Sequence, residues 1–274
     1  MILDAHVHVW VQNPDRYPWQ AIGGYIPETE APVEALLAVM DAAGVDGAVL
    51  VQPTPYGWDN SYLLDCARRY PDRFRTVCLV NPLTEEGTVN LKCLVSEFRI
   101  AGVRINWNLN PTSIWQANQF HLALWETISE LNLPVCLQMT SDHIGLLGEL
   151  AGKYPQVRIV IDHLGRPRRG GQPSNPAFAQ FLGLAQRANI HVKLSGLNYY
   201  SDQQAPYRDV WQLVQSVYRQ FGAQRCMWGS DFPFVQEHWS YQLLLSTVQQ
   251  DWNISAADLE WVLGGTAFKL WWQE

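Results

Sequence analysis

No run of the 274-residue chain approaches the roughly 18 consecutive apolar residues that a membrane span needs, so no spanning helix is expected. A basic excess is missing as well. Nineteen Lys and Arg stand against 26 Asp and Glu, a formal net charge of −7, and such a balance repels phosphate and argues against nucleic acid as a partner. Charge of either sign is sparse at 16%, while hydrophobic residues reach 47%, which excludes a disordered chain and leaves enough apolar mass for a large core. The opening Met1-Ile2-Leu3-Asp4-Ala5-His6 has no basic stretch and no cleavage site, so no export signal is expected. The five cysteines, Cys66, Cys78, Cys93, Cys136 and Cys226, are odd in number and never spaced as CxxC, and at least three lie in apolar runs. They read as free thiols, and a reducing cytoplasm is the expected compartment.

What the chain does have is a repeating pattern. Short apolar runs occupy 2–9, 47–52, 76–80, 102–106, 134–139, 157–162, 190–194 and 226–229. Most are nearly continuous in Val, Ile and Leu, as parallel strands covered on both faces are. Helix-like stretches lie between them, at 32–43, 59–70, 89–101, 117–131, 142–154, 175–188, 207–221 and 239–252, with Gly44, Pro71, Gly102 and Gly222 as stops. Ser255 opens a C-terminal helical tail that Gly264-Gly265 is expected to interrupt. Eightfold β–α alternation predicts a parallel sheet, and eight units close a (β/α)8 TIM barrel, here one α/β domain over 1–274. The rival, an open doubly wound sheet, would carry a glycine-rich phosphate loop after its first strand, where His6-Val7-His8-Val9-Trp10 stands instead. Residues 10–30 form the longest non-helical stretch, rich in aromatics, and are expected to act as a lid.

In such barrels the reacting groups sit at the C-terminal ends of the strands. The first run ends in His6-Val7-His8, and alternation puts both imidazoles on one side, inward if Leu3, Ala5 and Val7 face the helices. By the same parity His163 shares a face with Ile159 and Ile161, and Asp231 follows Gly229, which would leave room for a ligand. Three imidazoles and one carboxylate suit a divalent ion such as zinc, with His6, His8, His163 and Asp231 as ligands. They equally suit hydrolysis without a metal, the imidazoles polarising a carbonyl while Asp231 takes a proton from water. Spacing alone leaves both open. His121 and His191 read as structural, whereas His143 and His238 could each reach the barrel mouth.

Taken together, these pieces resemble the amidohydrolase superfamily, and within it the amidohydrolase-related group of TIM-barrel hydrolases, over essentially the whole chain. The matching segments are Asp4-Ala5-His6-Val7-His8-Val9-Trp10, Val51-Gln52 with Asn60, and Gly102-Val103-Arg104-Ile105-Asn106. Further along come Asp162-His163-Leu164-Gly165-Arg166-Pro167, Lys193-Leu194-Ser195-Gly196-Leu197, Gly229-Ser230-Asp231-Phe232-Pro233 and Gly265-Thr266-Ala267. The branch most similar contains lactonases of sugar acids and of pyrone dicarboxylate. The resemblance implies hydrolysis of a cyclic ester, with His6, His8 and His163 toward a metal or the carbonyl and Asp231 as general base. Many members place a Lys at the end of strand four and a His at the end of strand five; here Arg104 and Asn106, and Gln138, stand there. These departures argue against a binuclear centre and leave one divalent metal, zinc foremost, or none.

Arg104 is the candidate anchor for an anionic substrate, with a structural ion pair as the equal alternative. Gln52, Asn106, Gln138 and Ser195 are candidates for hydroxyl contacts. Of the 13 tryptophans, Trp10, Trp58, Trp107 and Trp228 lie beside strand ends and could stack on a sugar ring; Trp125, Trp211, Trp261 and Trp271 suit the core or a contact in a homo-oligomer. Arg166, Arg168 and Arg169 could guide an acidic substrate. The expected partner is thus a small molecule. A metal-dependent decarboxylase or hydratase of an unsaturated acid is the enzymatic rival, and a sugar-acid sensor on an inactive barrel is the non-enzymatic one.

Overall fold

A computed structural model describes residues 1–273. Eight strands stand in sequence order, each parallel to the next: β1 (Leu3–Val7), β2 (Gly47–Val51), β3 (Phe74–Leu79), β4 (Gly102–Asn106), β5 (Val135–Gln138), β6 (Ile159–Ile161), β7 (Ile190–Leu194) and β8 (Cys226–Trp228). All eight expected runs are strands, because residues buried on both faces must be apolar throughout. Closure comes just beyond β8. Asp231 N donates to His6 O at 2.9 Å and His8 N to Phe232 O at 2.7 Å, with Val7 bridged to Phe232. The barrel is therefore sealed by the same residues that carry its polar side chains.

Helices alternate with the strands as expected, with shifted ends. Asp59 Oδ1 accepts from Ser61 N at 2.9 Å and starts the helix Ser61–Arg69. The stretch expected at 117–131 divides at Asn118, whose side chain caps Gln119–Glu130, so that Thr112–Ala117 is a separate turn. The glycine pair in the tail does not interrupt it. A widened π turn, Trp261–Gly265, carries the chain continuously into the helix Thr266–Trp271. A side chain at Gly264 would meet Met1 O at 2.5 Å, so glycine is what lets the start of β1 press on this turn. Leu270 and Trp271 of that last helix pack on Leu3, Val77 and Met227 and plug the bottom of the barrel.

The parity expected for β1 needs correction. Leu3 and Ala5 pack with Val49, Val51, Cys136, Val160 and Met227 inside the barrel, not against the helices. The register runs Leu3 to Gly47, Asp4 to Ala48, then Val7 to Leu50, so β1 holds one residue more than β2 in this step. This bulge flips the alternation. His6 and His8 turn inward, Val7 and Val9 face the helices, and Asp4 points outward to Tyr241 Oη at 2.9 Å. In β6 it is Val160 and Asp162 that face inward, while Ile159 and Ile161 pack outward.

Segment 10–30 is pinned at its base by paired hydrogen bonds between Trp10 and Ala31, at 2.9 and 3.0 Å, and by Trp19 stacked on Tyr56. Its Ile22, Gly23 and Tyr25 form part of the wall of the cavity above the strand ends, the place expected of a lid.

Candidate active site

The bulge delivers two imidazoles to the top of the barrel interior. His8 Nδ1 lies 2.7 Å from Val51 O. A carbonyl can only accept, so Nδ1 carries the proton and Nε2 is bare. That Nε2 stands 3.1 Å from His6 Nε2. On its far side, His6 Nδ1 faces Lys193 Nζ at 2.9 Å and Asp162 Oδ1 at 3.3 Å. Asp162 is clamped between Lys193 Nζ at 3.0 Å and Arg104 Nε at 2.9 Å. Burial would raise the Asp162 carboxyl, but the charges of Lys193 and Arg104 and the contact with His6 hold it well below the carboxylate range. Burial, with the Lys193 charge, drives His6 well below its ordinary value; burial and the Arg104 charge bring His8 down to about 3. Both rings are neutral at physiological pH.

The chain after β6 and β8 turns sharply to bring two more groups over this pair. His163 and Asp231 have φ of 52° and 60°, the left-handed region that costs a non-glycine residue on the order of 1–3 kcal/mol. That turn, not strand parity, aims His163 at the cavity, where its ring stands 4.6 Å from that of His6. Its Nδ1 is 2.9 Å from Ser195 Oγ, and Nε2 has no protein partner among the described residues. Burial lowers His163 well below its ordinary value, so it too is neutral. Asp231 Oδ2 accepts from Tyr199 Oη at 2.5 Å, whereas Oδ1 is buried without a hydrogen bond, 3.6 Å from His6 Nε2 and 3.7 Å from His8 Nε2. Burial pushes the Asp231 carboxyl up to about 7, against the bond from Tyr199.

These donors fit a divalent cation. Atoms separated by 3.1, 3.6 and 3.7 Å share a point about 2 Å from each, the length of zinc bonds to imidazole and carboxylate. Asp231 Oδ1 is an orphaned buried acceptor, and His8 has the protonated Nδ1 bonded to a carbonyl that metal-binding histidines display. His163 also lies close: His6, His163 and Asp231 each offer one ligand atom, all within 4.8 Å of one another.

The cavity above is lined by His163, Asp231, Arg104 and Gln138, with Trp10 and Phe234. Arg104 makes the structural ion pair. Its Nε is committed to Asp162, while its Nη groups have no protein partner among the described residues. Arg166 also lines this wall, with its guanidinium over the Tyr199 ring.

Several candidates lie elsewhere. Gln52 is fully buried, and its Nε2 donates to Asp59 O. Ser195 is committed to His163. Asn106 is buried beside Gln138 in the strand register, with both amide atoms unpartnered, just beneath the wall. Trp107 and Trp228 are wholly buried, and Trp58 borders a different surface hollow, so only Trp10 of the four reaches this cavity. His143 stacks on Trp107 and caps a turn, and His238 is exposed beside Glu237. Gly229 makes room not for a ligand but for His6, whose Cβ would lie 2.8 Å from a Cβ at 229.

Sequence reasoning gave no role to Tyr199, Lys193 or Asp162. Tyr199 lies in a loop with no periodic signal. Lys193 did carry one: a lysine inside the apolar run 190–194 is seldom buried without a partner.

A protein-family model described as "Amidohydrolase" matches residues 3–272. Among curated proteins, L-fucono-1,5-lactonase of Burkholderia ambifaria is 30% identical over 84% of this chain and 80% of its own length. The 4-sulfomuconolactone hydrolase of Hydrogenophaga intermedia is 27% identical over 84% of this chain and 74% of its own. Among solved structures, a Burkholderia multivorans amidohydrolase with bound zinc superposes with a TM-score of 0.82 at 22% identity, covering 100% of both chains. That last likeness is one of fold.

Proposed function

The chain belongs to the amidohydrolase family, and from that premise we infer that it is a hydrolase that opens the ring of a lactone, a cyclic ester of a sugar acid or related carboxylic acid. The observation that carries this reading is Asp231. Its Oδ1 is buried, unpartnered and next to two neutral imidazoles, and its pKa of about 7 suits a base working near neutral pH.

The lactone docks with its carbonyl toward His163 Nε2 and the His6–His8 pair. Water beside Asp231 Oδ1 attacks the carbonyl carbon and Asp231 takes its proton. The tetrahedral centre collapses, the ring C–O bond breaks, and Asp231 returns the proton to the departing oxygen. Tyr199 holds the other carboxylate oxygen in place. The free Nη groups of Arg104, with Arg166 nearby, supply a bidentate seat for a carboxylate or sulfonate on the substrate, and Trp10 and Phe234 offer apolar faces to the ring. A divalent ion, zinc by the donor chemistry, would be held by His6, His8 and Asp231 with His163 beside it, and would supply Lewis acidity at the carbonyl. Four buried free cysteines, with Cys93 exposed, support the cytoplasm as the place of action.

The test is acid release from a panel of neutral aldonolactones and of anionic muconolactones and pyrone carboxylates. Ring opening is expected, and Asp231→Asn should lower kcat by about 10²–10⁴-fold with the fold intact. Carbon dioxide evolution from an unsaturated acid, or no hydrolysis anywhere on the panel, would overturn the reading.

A further inference from the structure

Lys193 is wholly buried in the barrel interior, and no step of the reaction above uses it. The ring of Trp271 lies 5.6 Å from its Nζ on the side of the barrel floor, and Asp162 and His6 lie on the other. An ammonium group donates only. Nζ lies 3.0 Å from Asp162 Oδ1 and 2.9 Å from His6 Nδ1, and one of its three protons is aimed at the imidazole.

That aim decides where His6 carries its proton. With Nδ1 accepting from Lys193, the proton sits on Nε2. A single consistent row then runs from Lys193 Nζ to His6 Nδ1 at 2.9 Å, from His6 Nε2 to His8 Nε2 at 3.1 Å, and from His8 Nδ1 to Val51 O at 2.7 Å. Every link has one donor and one acceptor. In the opposite tautomer His6 Nδ1 donates to Asp162 Oδ1, 3.3 Å away, and two bare Nε2 atoms face each other at 3.1 Å. Two lone pairs so close repel unless a cation lies between them.

We propose that Lys193 is a positioning residue that competes with a metal ion, holding His6 in the Nε2–H tautomer so that the resting centre is closed by a hydrogen bond between His6 and His8. The competition is between two proton arrangements of the same neutral ring. It rests on reading His6, His8 and Asp231 as the reacting centre. It explains how one donor set fits a divalent ion and yet forms a complete hydrogen-bonded row without it.

Two measurements test it, and neither reads turnover. Two-bond ¹H–¹⁵N correlation of the ¹⁵N-histidine-labelled enzyme as purified reports each ring's tautomer; Nε2–H at His6 is expected, and Nδ1–H overturns the proposal. Lys193→Met removes the donor and keeps an unbranched side chain. Zinc affinity, read by competition with a chromophoric chelator, should rise by about 10–100-fold, the size of effect that partners of metal-binding histidines exert. Metal content by mass spectrometry should rise toward one ion per chain. Unchanged affinity in a folded Lys193→Met variant overturns the proposal, and should that variant fail to fold, the wild-type spectrum decides. An enzyme inert to every lactone but with His6 protonated at Nε2 would refute the reading of function and leave this one standing.

Discussion

Asp231 is asked to do two incompatible things, and its surroundings set the compromise. A carboxylate free of water is a stronger base, and burial lifts this one to about 7; a bond from Tyr199 Oη to Oδ2 pulls the other way and fixes the orientation of Oδ1. The base must be ionised to accept a proton from water, so in metal-free enzyme kcat/KM should rise with pH through about 7 and level off above it. Tyr199→Phe removes a bond to the charged form. The carboxyl then moves further up, and the rising limb should shift by about one pH unit toward alkali with little change in the plateau. A full pH–rate profile of both proteins checks this, and an unshifted limb in the variant would show that Asp231 is not the titrating base. The same logic separates Arg104 from Arg166. Arg104 shares a buried carboxylate with Lys193, so truncating it leaves buried Asp162 with one partner fewer, and the fold suffers with the affinity. Arg166 sits over Tyr199 with no such debt. Arg166→Ala should therefore raise KM for anionic lactones by about tenfold, leave KM for neutral ones unchanged, and leave the melting temperature within a degree or two; equal KM changes for both substrate types would remove it from anion recognition.

One extra residue in β1 decides the direction of both histidines that start the site. The eight strands were legible because a strand buried on both faces has a simple composition rule. Which way the side chains point was not. A bulge costs no apolar residue and leaves no trace in composition, so alternation counted from Leu3 assigns Leu3 and Ala5 to the helix side when they face the interior. The histidines were placed inward from a wrong premise, and the bulge is the physical reason. His163 repeats the lesson at β6, where a left-handed φ turns the side chain. Asp231 shares that left-handed φ, so the turn after β8 aims it and alternation from Met227 and Gly229 does not. The catalytic candidates were legible because polar residues stand out at strand ends; their supporting residues, Tyr199 and Lys193, become visible only once β1, β6, β7 and the loop after β7 share one space. The bulge is packed against β8, and Gly229 is the point of contact. Gly229→Ala would place a methyl 2.8 Å from His6 Cβ and 3.2 Å from its backbone nitrogen, neither of which can move without opening the barrel seam. Overpacking of this kind costs about 1–3 kcal/mol. The variant should melt a few degrees lower and lose activity out of proportion to its stability, because the displaced ring is His6; thermal melts and kcat on the same preparation check it, and full activity with a normal melt would mean the seam is softer than its distances imply.

Across the whole molecule, five of the seven histidines are held in their neutral form, four of them buried and His191 partly buried, and this couples the site to global stability. His121 shows why the neutral form is enforced. Its Nε2 accepts from the indole Nε1 of Trp107 at 3.1 Å and of Trp125 at 3.0 Å, while Nδ1 donates to Trp115 O at 2.8 Å, so a second ring proton would face two N–H groups. Burial brings His121 and His191 down to about 4 and His8 to about 3, and holds His6 and His163 well below their ordinary value. In the unfolded chain all five titrate near 6.5. As pH falls through that value, the unfolded state binds protons that the native state refuses, and stability drops. Two buried acids act in the opposite sense. Asp4, up at about 6, and Asp231, up at about 7, bind protons in the native state before an unfolded aspartate would, and so offset part of the loss. Five sites against two leave the unfolded chain about three protons ahead near pH 5, a slope on the order of 4 kcal/mol per pH unit. The urea midpoint should therefore hold steady from pH 8 to 7 and fall steeply between about 6.5 and 5, well above the range in which ordinary carboxylates protonate. His121→Gln, which cannot gain a proton, should make that fall shallower by about one proton's worth without touching the pH profile of catalysis, because the ring lies in the tryptophan cluster and not in the cavity. Equilibrium unfolding at closely spaced pH values measures the slope, and a midpoint that stays flat down to pH 5 would mean that these imidazoles accept protons in the native barrel.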